Sequence, residues 1–476
     1  MCRSRRADPF LARVELADAV SSSVPSGPAA GRGRALAQAA TAGLLWLWLA
    51  GVARAASPCI PSSTPTPAAT ATVPVEATAG EALLDDRDSI AHVARLIAER
   101  LAWMPAVAAW KWQHRVAIAD PARERVVVEH AAERARAMGL EPGAARQLFD
   151  WQIAAARSLE AACEAQWQHG GFNYPGPVPD LAAVIRPALD RLTEAQLRAL
   201  YVAVPALGHG ATTDAALSGA LPGLPDASRE VLGRILAAAR FLAPATLARS
   251  RAAGVLRIGT TGDYAPFSSV RQRHLSGVDI ELARALARGL GLEPVFVRTS
   301  WPSLLADLGG DRFDLAMSGI ADTPARRAAG TVSIGYLSGG KTILARCADA
   351  RRWATLADLD HAGVRVIVNP GGTNEQFVRA ALRHAQIRIY PDNTTIFEEI
   401  RSGHADAMIT DDFEAELQHR RHPELCRTFA GVLTRAEKVA LLAPDPALRA
   451  AVNDWLRSAL ESGLPARLLQ QAFAEP

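Results

Sequence analysis

Apolar positions at three- and four-residue steps open the readable part of the chain. Ile90, Val93, Ile97, Leu101 and Met104 form one stripe of a helix starting near Asp85. Helical patterns recur at about 122–138, where Gly139 suits a C-cap, and at about 142–168, 180–201 and 226–242. The run Gly170-Gly171-Phe172-Asn173-Tyr174-Pro175-Gly176-Pro177 breaks the third from the fourth. No strand signal lies between them, so residues 81–243 read as an all-α domain, with 244–254 as a linker. At Val255 the period changes. Val255-Leu256-Arg257-Ile258-Gly259 begins an alternation of strands and helices that runs to residue 476. Further strands are predicted at 295–298, 315–318, 342–345, 364–368, 387–390, 407–410 and 439–442, and the first amphipathic helix at 277–286.

The start of the chain is of another kind. Residues 1–31 are polar and without period, and are expected to be disordered or untranslated. Arg32 and Arg34 precede an apolar run to Val52, and small residues follow. Residues 32–56 therefore read as a secretory signal, with an uncleaved membrane anchor as the rival, since the run nears spanning length. Residues 57–80 form a Pro/Thr/Ala linker, expected to be extended and mobile. Export predicts a periplasmic protein with no stable membrane association after cleavage. The chain has 476 residues and a net charge of +3 from 52 basic and 49 acidic side chains, which offers no nucleic-acid surface. Its five cysteines fall in no CxxC or Cys/His pattern, so neither a metal nor any other cofactor is expected. Oligomeric state, a homo-oligomer included, is not fixed.

Two stretches hold candidate chemistry. Asn369-Pro370-Gly371-Gly372-Thr373-Asn374-Glu375 joins the strand 364–368 to a helix. Backbone N–H groups at such a turn favour an anion. Thr373 and Gly372 would complete the anion hole. Glu375 would repel an anionic guest unless it carries a proton and gives it away. Beside bound anions its pKa is expected to rise towards working pH. On spacing alone, a solvated first-turn glutamate is the competing reading. In the helical half, Arg100, Lys111, Asp120, Arg123, Glu124 and Glu160 stand out. Arg100 and Lys111 are eleven residues apart and share a face if the helix survives Pro105. Each alone reads as a surface residue. Cations converging inside a bundle point to an anionic ligand.

The helical set resembles the secreted helical chorismate mutases, through Ala98-Glu99-Arg100-Leu101, Trp110-Lys111-Trp112, Asp120-Pro121-Ala122-Arg123-Glu124 and Phe149-Asp150-Trp151-Gln152-Ile153. The resemblance implies that Arg100 and Arg123 grip the carboxylates of chorismate. It implies that Lys111 and a protonated Glu160 donate to the ether oxygen, while Asp120 and Glu124 order the hydroxyl and the basic cluster. Two departures stand out. Ala156 replaces a small hydroxylated residue, and Arg191 and Arg198 only flank the fourth-helix arginine's place.

Residues 255–476 resemble the cyclohexadienyl dehydratases, periplasmic enzymes on the two-lobed (type II) solute-binding-protein fold. The match lies in Thr260-Thr261-Gly262-Asp263-Tyr264, Thr299-Ser300-Trp301-Pro302, Met317-Ser318-Gly319-Ile320, Gly340-Lys341-Thr342, the 369–375 turn, Pro391-Asp392-Asn393 and 422–426. The resemblance implies lobe one at 255–340 and 435–476 and lobe two at 341–434, with ligand in the cleft. It assigns Glu375 as general acid and Arg326, following Ser318, as carboxylate clamp. Lys341 would hold a second charge, and Trp301 and Tyr264 would wall the ring. Asp411 occupies the place of an α-amine holder, so arogenate would be accepted beside prephenate; Asp263 and Asn393 are second-tier. Cys347 and Cys426, in one lobe, are a candidate disulfide. The expected whole is a bifunctional enzyme taking chorismate to prephenate and prephenate to phenylpyruvate, or arogenate to phenylalanine. The alternative is a non-catalytic solute-binding protein fused to a helical domain.

Overall fold

The computed structural model describes residue 59 and residues 82–208 and 213–474. The expected extension, the expected signal segment and most of the 57–80 linker lie outside these residues. Among the described residues, no helix is long and apolar enough to cross a membrane.

The helical half is built from α1 (Asp86–Ala102), α2 (Met104–His114), α3 (Pro121–Ala137), α4 (Pro142–Gly170), α5 (Arg186–Gly208), α6 (Thr213–Ala220) and α7 (Asp226–Ala237). Asp85 caps α1 by a reciprocal pair with Asp88, and Asp120 caps α3 through the Arg123 N–H. The predicted stripe is buried: Ile90, Val93 and Ile97 are each no more than 1% exposed. The first helix does not survive Pro105, however. It ends at Ala102, and α2 restarts at Met104 with that proline in its first turn, where a missing N–H costs no bond.

The second half is built on two large sheets, with a small three-stranded sheet of Asp263–Tyr264, Ser268–Arg271 and His274–Ser276 beside them. One runs in the order Leu83–Leu84, Glu293–Arg298, Val255–Thr260, Leu315–Ala316, Leu441–Leu442, Thr331–Val332. The other runs Gln386–Ile389, Arg365–Val368, Ala407–Asp411, Lys341–Arg346, Leu425–Arg427. Between them the chain crosses on two antiparallel hinge strands, Leu337–Gly339 and Ala436–Lys438. This is the expected architecture, an all-α bundle followed by a two-lobed α/β unit.

Three features were not expected. Leu83–Leu84, assigned to the all-α half, is an edge strand pairing in parallel with Phe296 and Val297. The stretch 244–254 is not a bare linker but holds the helix Leu247–Ala253. Cys59, placed in a mobile linker, is fully buried and disulfide-bonded to Cys163 of α4. The candidate pair Cys347–Cys426 is also bonded.

The two halves meet along a charged seam. Arg257 is fully buried, with Nη2 2.8 Å from Asp311 Oδ1 and 2.7 Å from Asp314 Oδ1. Its guanidinium lies 4.9 Å from the Tyr201 ring, and that of Arg249 lies 3.8 Å from Phe241. Arg312 reaches across to Asp86 of α1.

Candidate functional sites

In the bundle, four helices bring the candidate charges together. Lys111 Nζ lies 2.7 Å from Glu160 Oε2 and 2.6 Å from the Ile118 carbonyl. Glu160 is 4% exposed. Burial pushes its pKa up, and Lys111 pulls against it. Arg100, 8% exposed, donates to the Leu189 carbonyl at 3.1 Å and lies over the Phe149 ring. Burial lowers its pKa to about 10. Arg123 Nη2 is 3.7 Å from Asp190.

Asp120 and Glu124 have other partners than expected. Asp120 is exposed, and its carboxylate caps α3. Glu124 accepts from Arg157 Nε at 2.8 Å, a cation of α4 that sequence reading missed. Arg157 lies three residues before Glu160, a spacing that could have found it. Arg191 and Arg198 are exposed, and α5 instead offers Thr193 and Asp190 to the cluster.

In the cleft between the lobes, buried charges surround Asp411, which is 7% exposed. Its Oδ1 accepts from Lys341 Nζ at 2.7 Å and its Oδ2 from Lys438 Nζ at 2.5 Å and from the Tyr264 hydroxyl. Burial opposes its charge, but the two ammoniums prevail and hold its pKa well below the usual carboxylate range. Lys341 also donates to Thr373 Oγ1 at 2.9 Å and to Asn374 Oδ1. Burial lowers its pKa while Asp411 raises it. Lys438 was missed. It is a lone lysine in the apolar run Lys438-Val439-Ala440-Leu441-Leu442, 3% exposed, also donating to the Gly319 carbonyl at 2.8 Å.

Arg326 is 7% exposed, donates to the Ala321 carbonyl at 2.6 Å and lies 5.8 Å from the Trp301 ring. No carboxylate lies within 4 Å of it among the described residues. Burial lowers its pKa to about 10. Trp301 and Tyr264 meet edge to face at 5.6 Å. Ser318 is tied into a hydroxyl knot with Thr261 and Ser268. Asn393 Nδ2 donates to the Asp263 carbonyl at 2.9 Å, linking the lobes. Burial raises the Asp263 pKa. Asp263 Oδ1, Trp301 Nε1 and Asn393 Oδ1 are buried polar atoms without a partner among the described residues. Glu414, also missed, is buried and accepts from the Thr410 hydroxyl; burial pushes its pKa up to about 8.

At the glycine turn, Gly371 has φ 75°, and a Cβ there would sit 2.7 Å from Pro302 of the facing lobe. Gly372 precedes the helix Thr373–Ala381 as its N-cap residue. Glu375 sits in the first turn. Its Oε2 accepts from the Gly371 N–H at 2.7 Å and its Oε1 from Arg379 at 2.8 Å, so its pKa is lowered, not raised. The Gly371 N–H and the Arg379 guanidinium stabilise its carboxylate. Asp411, read as an α-amine holder, carries both lysines on its two oxygens.

Cys347, His419 and Cys426 lie close together, but the two sulfurs are bonded to each other. A polar cavity of about 530 Å³, lined by Arg352, Trp353, His361 and Arg365, shares no residue with either cluster.

Residues 256–475 match the bacterial extracellular solute-binding proteins, family 3, and residues 88–161 match chorismate mutase type II. The chain is 48% identical over 213 residues to a cyclohexadienyl dehydratase of Pseudomonas aeruginosa, covering 44% of this chain and 80% of that protein. It is 28% identical over 222 residues to the L-cystine-binding protein TcyJ of Escherichia coli, covering 46% of this chain and 83% of that one. A crystal structure of an ancestral amino acid-binding protein, a precursor of cyclohexadienyl dehydratase, is 34% identical with a TM-score of 0.44, covering 46% of this chain and 96% of that one.

Proposed function

We propose a reading that starts from one premise: over its C-terminal half the chain belongs to the cyclohexadienyl dehydratases, with a chorismate mutase type II segment before it. The protein is a bifunctional enzyme, a mutase and a dehydratase in sequence. The observation that supports this order is that one chain holds both clusters, the first half making what the second consumes.

The mutase step is a pericyclic rearrangement of chorismate to prephenate. It needs no nucleophile, proton transfer or metal, only a substrate held in its reactive shape and charge stabilised on the ether oxygen. Arg100 and Arg123 take the carboxylates, and Lys111 donates to the ether oxygen. Glu160 donates from the other side once protonated, which its burial favours. Entry of the substrate separates Lys111 from Glu160, and Arg157 supplies a cation from α4 beside Glu124.

In the dehydratase step, prephenate takes one proton on its ring hydroxyl, which leaves as water. The ring carboxylate leaves as CO₂, and its bonding electrons complete the aromatic ring of phenylpyruvate. Arogenate would give phenylalanine by the same route. Glu375 is the acid in this reading. A substrate carboxylate at the glycine turn competes for the Gly371 N–H and raises the pKa that the Gly371 and Arg379 contacts lower. Arg326, Lys341 and Lys438 hold carboxylate and carbonyl oxygens, with Tyr264 and Trp301 against the ring. Thr373 and the Gly372 backbone line the turn.

Residues 32–56 are proposed as the export signal, and the two disulfides suit an oxidising compartment. The test is to feed chorismate to purified residues 57–476 and follow phenylpyruvate, with Glu375→Gln as control. Prephenate accumulating in the variant alone supports both roles. No product from the parent protein refutes the reading.

A further inference from the structure

One cavity of the fold belongs to neither proposed reaction. It is polar, about 530 Å³ in volume, and lies in lobe two. That volume suits one small guest. Its walls come from the segment leading into the strand Arg365–Val368 and from Asp406, which precedes the strand Ala407–Asp411. The glycine turn begins beyond the other end of the first strand, four residues and about 13 Å away. The cavity and the catalytic cleft are therefore separate places on one lobe.

In these walls the acids have donors of their own, and the donors lack acceptors. Asp406 accepts from Arg365 Nη2 at 2.8 Å on one oxygen and from the Arg365 N–H at 2.8 Å on the other. Asp358 caps the helix Leu356–Leu359 and accepts from the Thr355 N–H and hydroxyl, each at 2.8 Å. Arg352 lies 4.4 Å from the centre of the Trp353 ring, and its guanidinium has no hydrogen-bond or ion-pair partner among the described residues. A guanidinium resting on a ring keeps its in-plane N–H groups free for an oxyanion. The His361 ring has no partner among the described residues either. Trp353 is 4% exposed, and its indole N–H is a buried donor left unpaired. Gly363 contributes no side chain, and a Cβ there would meet open space. Unpaired donors around a small cavity call for an oxygen-rich, negatively charged guest. Ala362, Val364 and the Trp353 ring give it an apolar wall as well, which favours a carbon skeleton over a bare inorganic ion.

We propose that this cavity is a second ligand site, which binds a small organic carboxylate, with Arg352 and His361 donating to the carboxylate and Trp353 walling its carbon skeleton. The site stands on its own residues and does not depend on the chemistry assigned to the cleft.

The test titrates the full chain, labelled at its indole nitrogens, with benzoate as the probe and inorganic phosphate as the comparison. The Trp353 indole resonance is assigned by its loss in Trp353→Phe. It should shift saturably with benzoate, with a dissociation constant of about 1 mM or tighter. Arg352→Ala should weaken that response at least tenfold and His361→Ala at least threefold, with prephenate turnover unchanged in both. A resonance that stays still up to about 10 mM benzoate, or a response that survives either substitution, overturns the proposal. Phosphate binding as tightly as benzoate also overturns it, since the site would then be a general anion patch. So does a Trp353 shift that only follows that of Trp301, which reports the cleft.

Discussion

Replacing Glu375 by glutamine tests the dehydratase chemistry most directly. Its carboxylate accepts from the Gly371 N–H at 2.7 Å and from Arg379 at 2.8 Å. Even at its ordinary pKa of 4.5 such a group is protonated about once in 300 at pH 7. Half-protonation at pH 7 requires about 3.4 kcal/mol of selective destabilisation of the charged form. One substrate carboxylate held about 5 Å away supplies about 3.3 kcal/mol at an effective dielectric constant of about 20. The guest supplies most of this, and it must also displace the Gly371 and Arg379 contacts that lower the pKa before the acid is armed. Two consequences are measurable. Binding prephenate at pH 7 should take up about half a proton, read by calorimetry in buffers of different ionisation enthalpy; the Glu375→Gln protein should take up none. Between pH 5 and 7, kcat/KM should fall with rising pH while kcat stays level, because one reports free enzyme and the other the complex. Turnover in the variant should drop by about 10²–10⁴. Proton uptake unchanged in the variant, or turnover within a few-fold of the parent, would refute the reasoning.

Other outcomes follow from the same geometry. Lys111→Ala should lower chorismate consumption by about 10²–10³, leaving turnover of added prephenate unchanged, as checked by assaying the two steps separately. Glu414 has a folded pKa of about 8 against an ordinary 4.5, so it favours the fold fully below about pH 4.5, and that contribution is lost as pH rises through 8. Glu414→Gln should flatten this dependence, on the order of 5 kcal/mol, in denaturant melts taken across that pH range. Cys59→Ser removes a link across 104 residues and should lower the helical half's unfolding free energy by about 4–5 kcal/mol in denaturant titration; an unchanged midpoint would contradict it.

Much of this was legible in the sequence, and the misses have physical causes. The three- and four-residue stripe gave the first helix, the change of period at Val255 gave the α/β half, and the family resemblance gave its two lobes. Residues from distant helices, Lys111 and Glu160, do meet. Lys438 escaped because a lysine at the end of a short strand looks like surface charge, and only the fold shows Asp411 facing it. Cys59 escaped because its neighbours have the composition of a linker, whereas its partner lies 104 residues on. Leu83–Leu84 is too short to show a period of two. For Glu375 the turn's donors were read correctly. What escaped was that the glutamate itself accepts from the Gly371 N–H.

The strand Leu83–Leu84, the Arg312–Asp86 pair and the arginines stacked on Tyr201 and Phe241 all fasten the bundle to lobe one. Lobe two can therefore swing on its hinge without dragging the mutase pocket along. The helical bundle rides on one jaw of the two-lobed half, so a swing of the other jaw would leave these contacts unbroken.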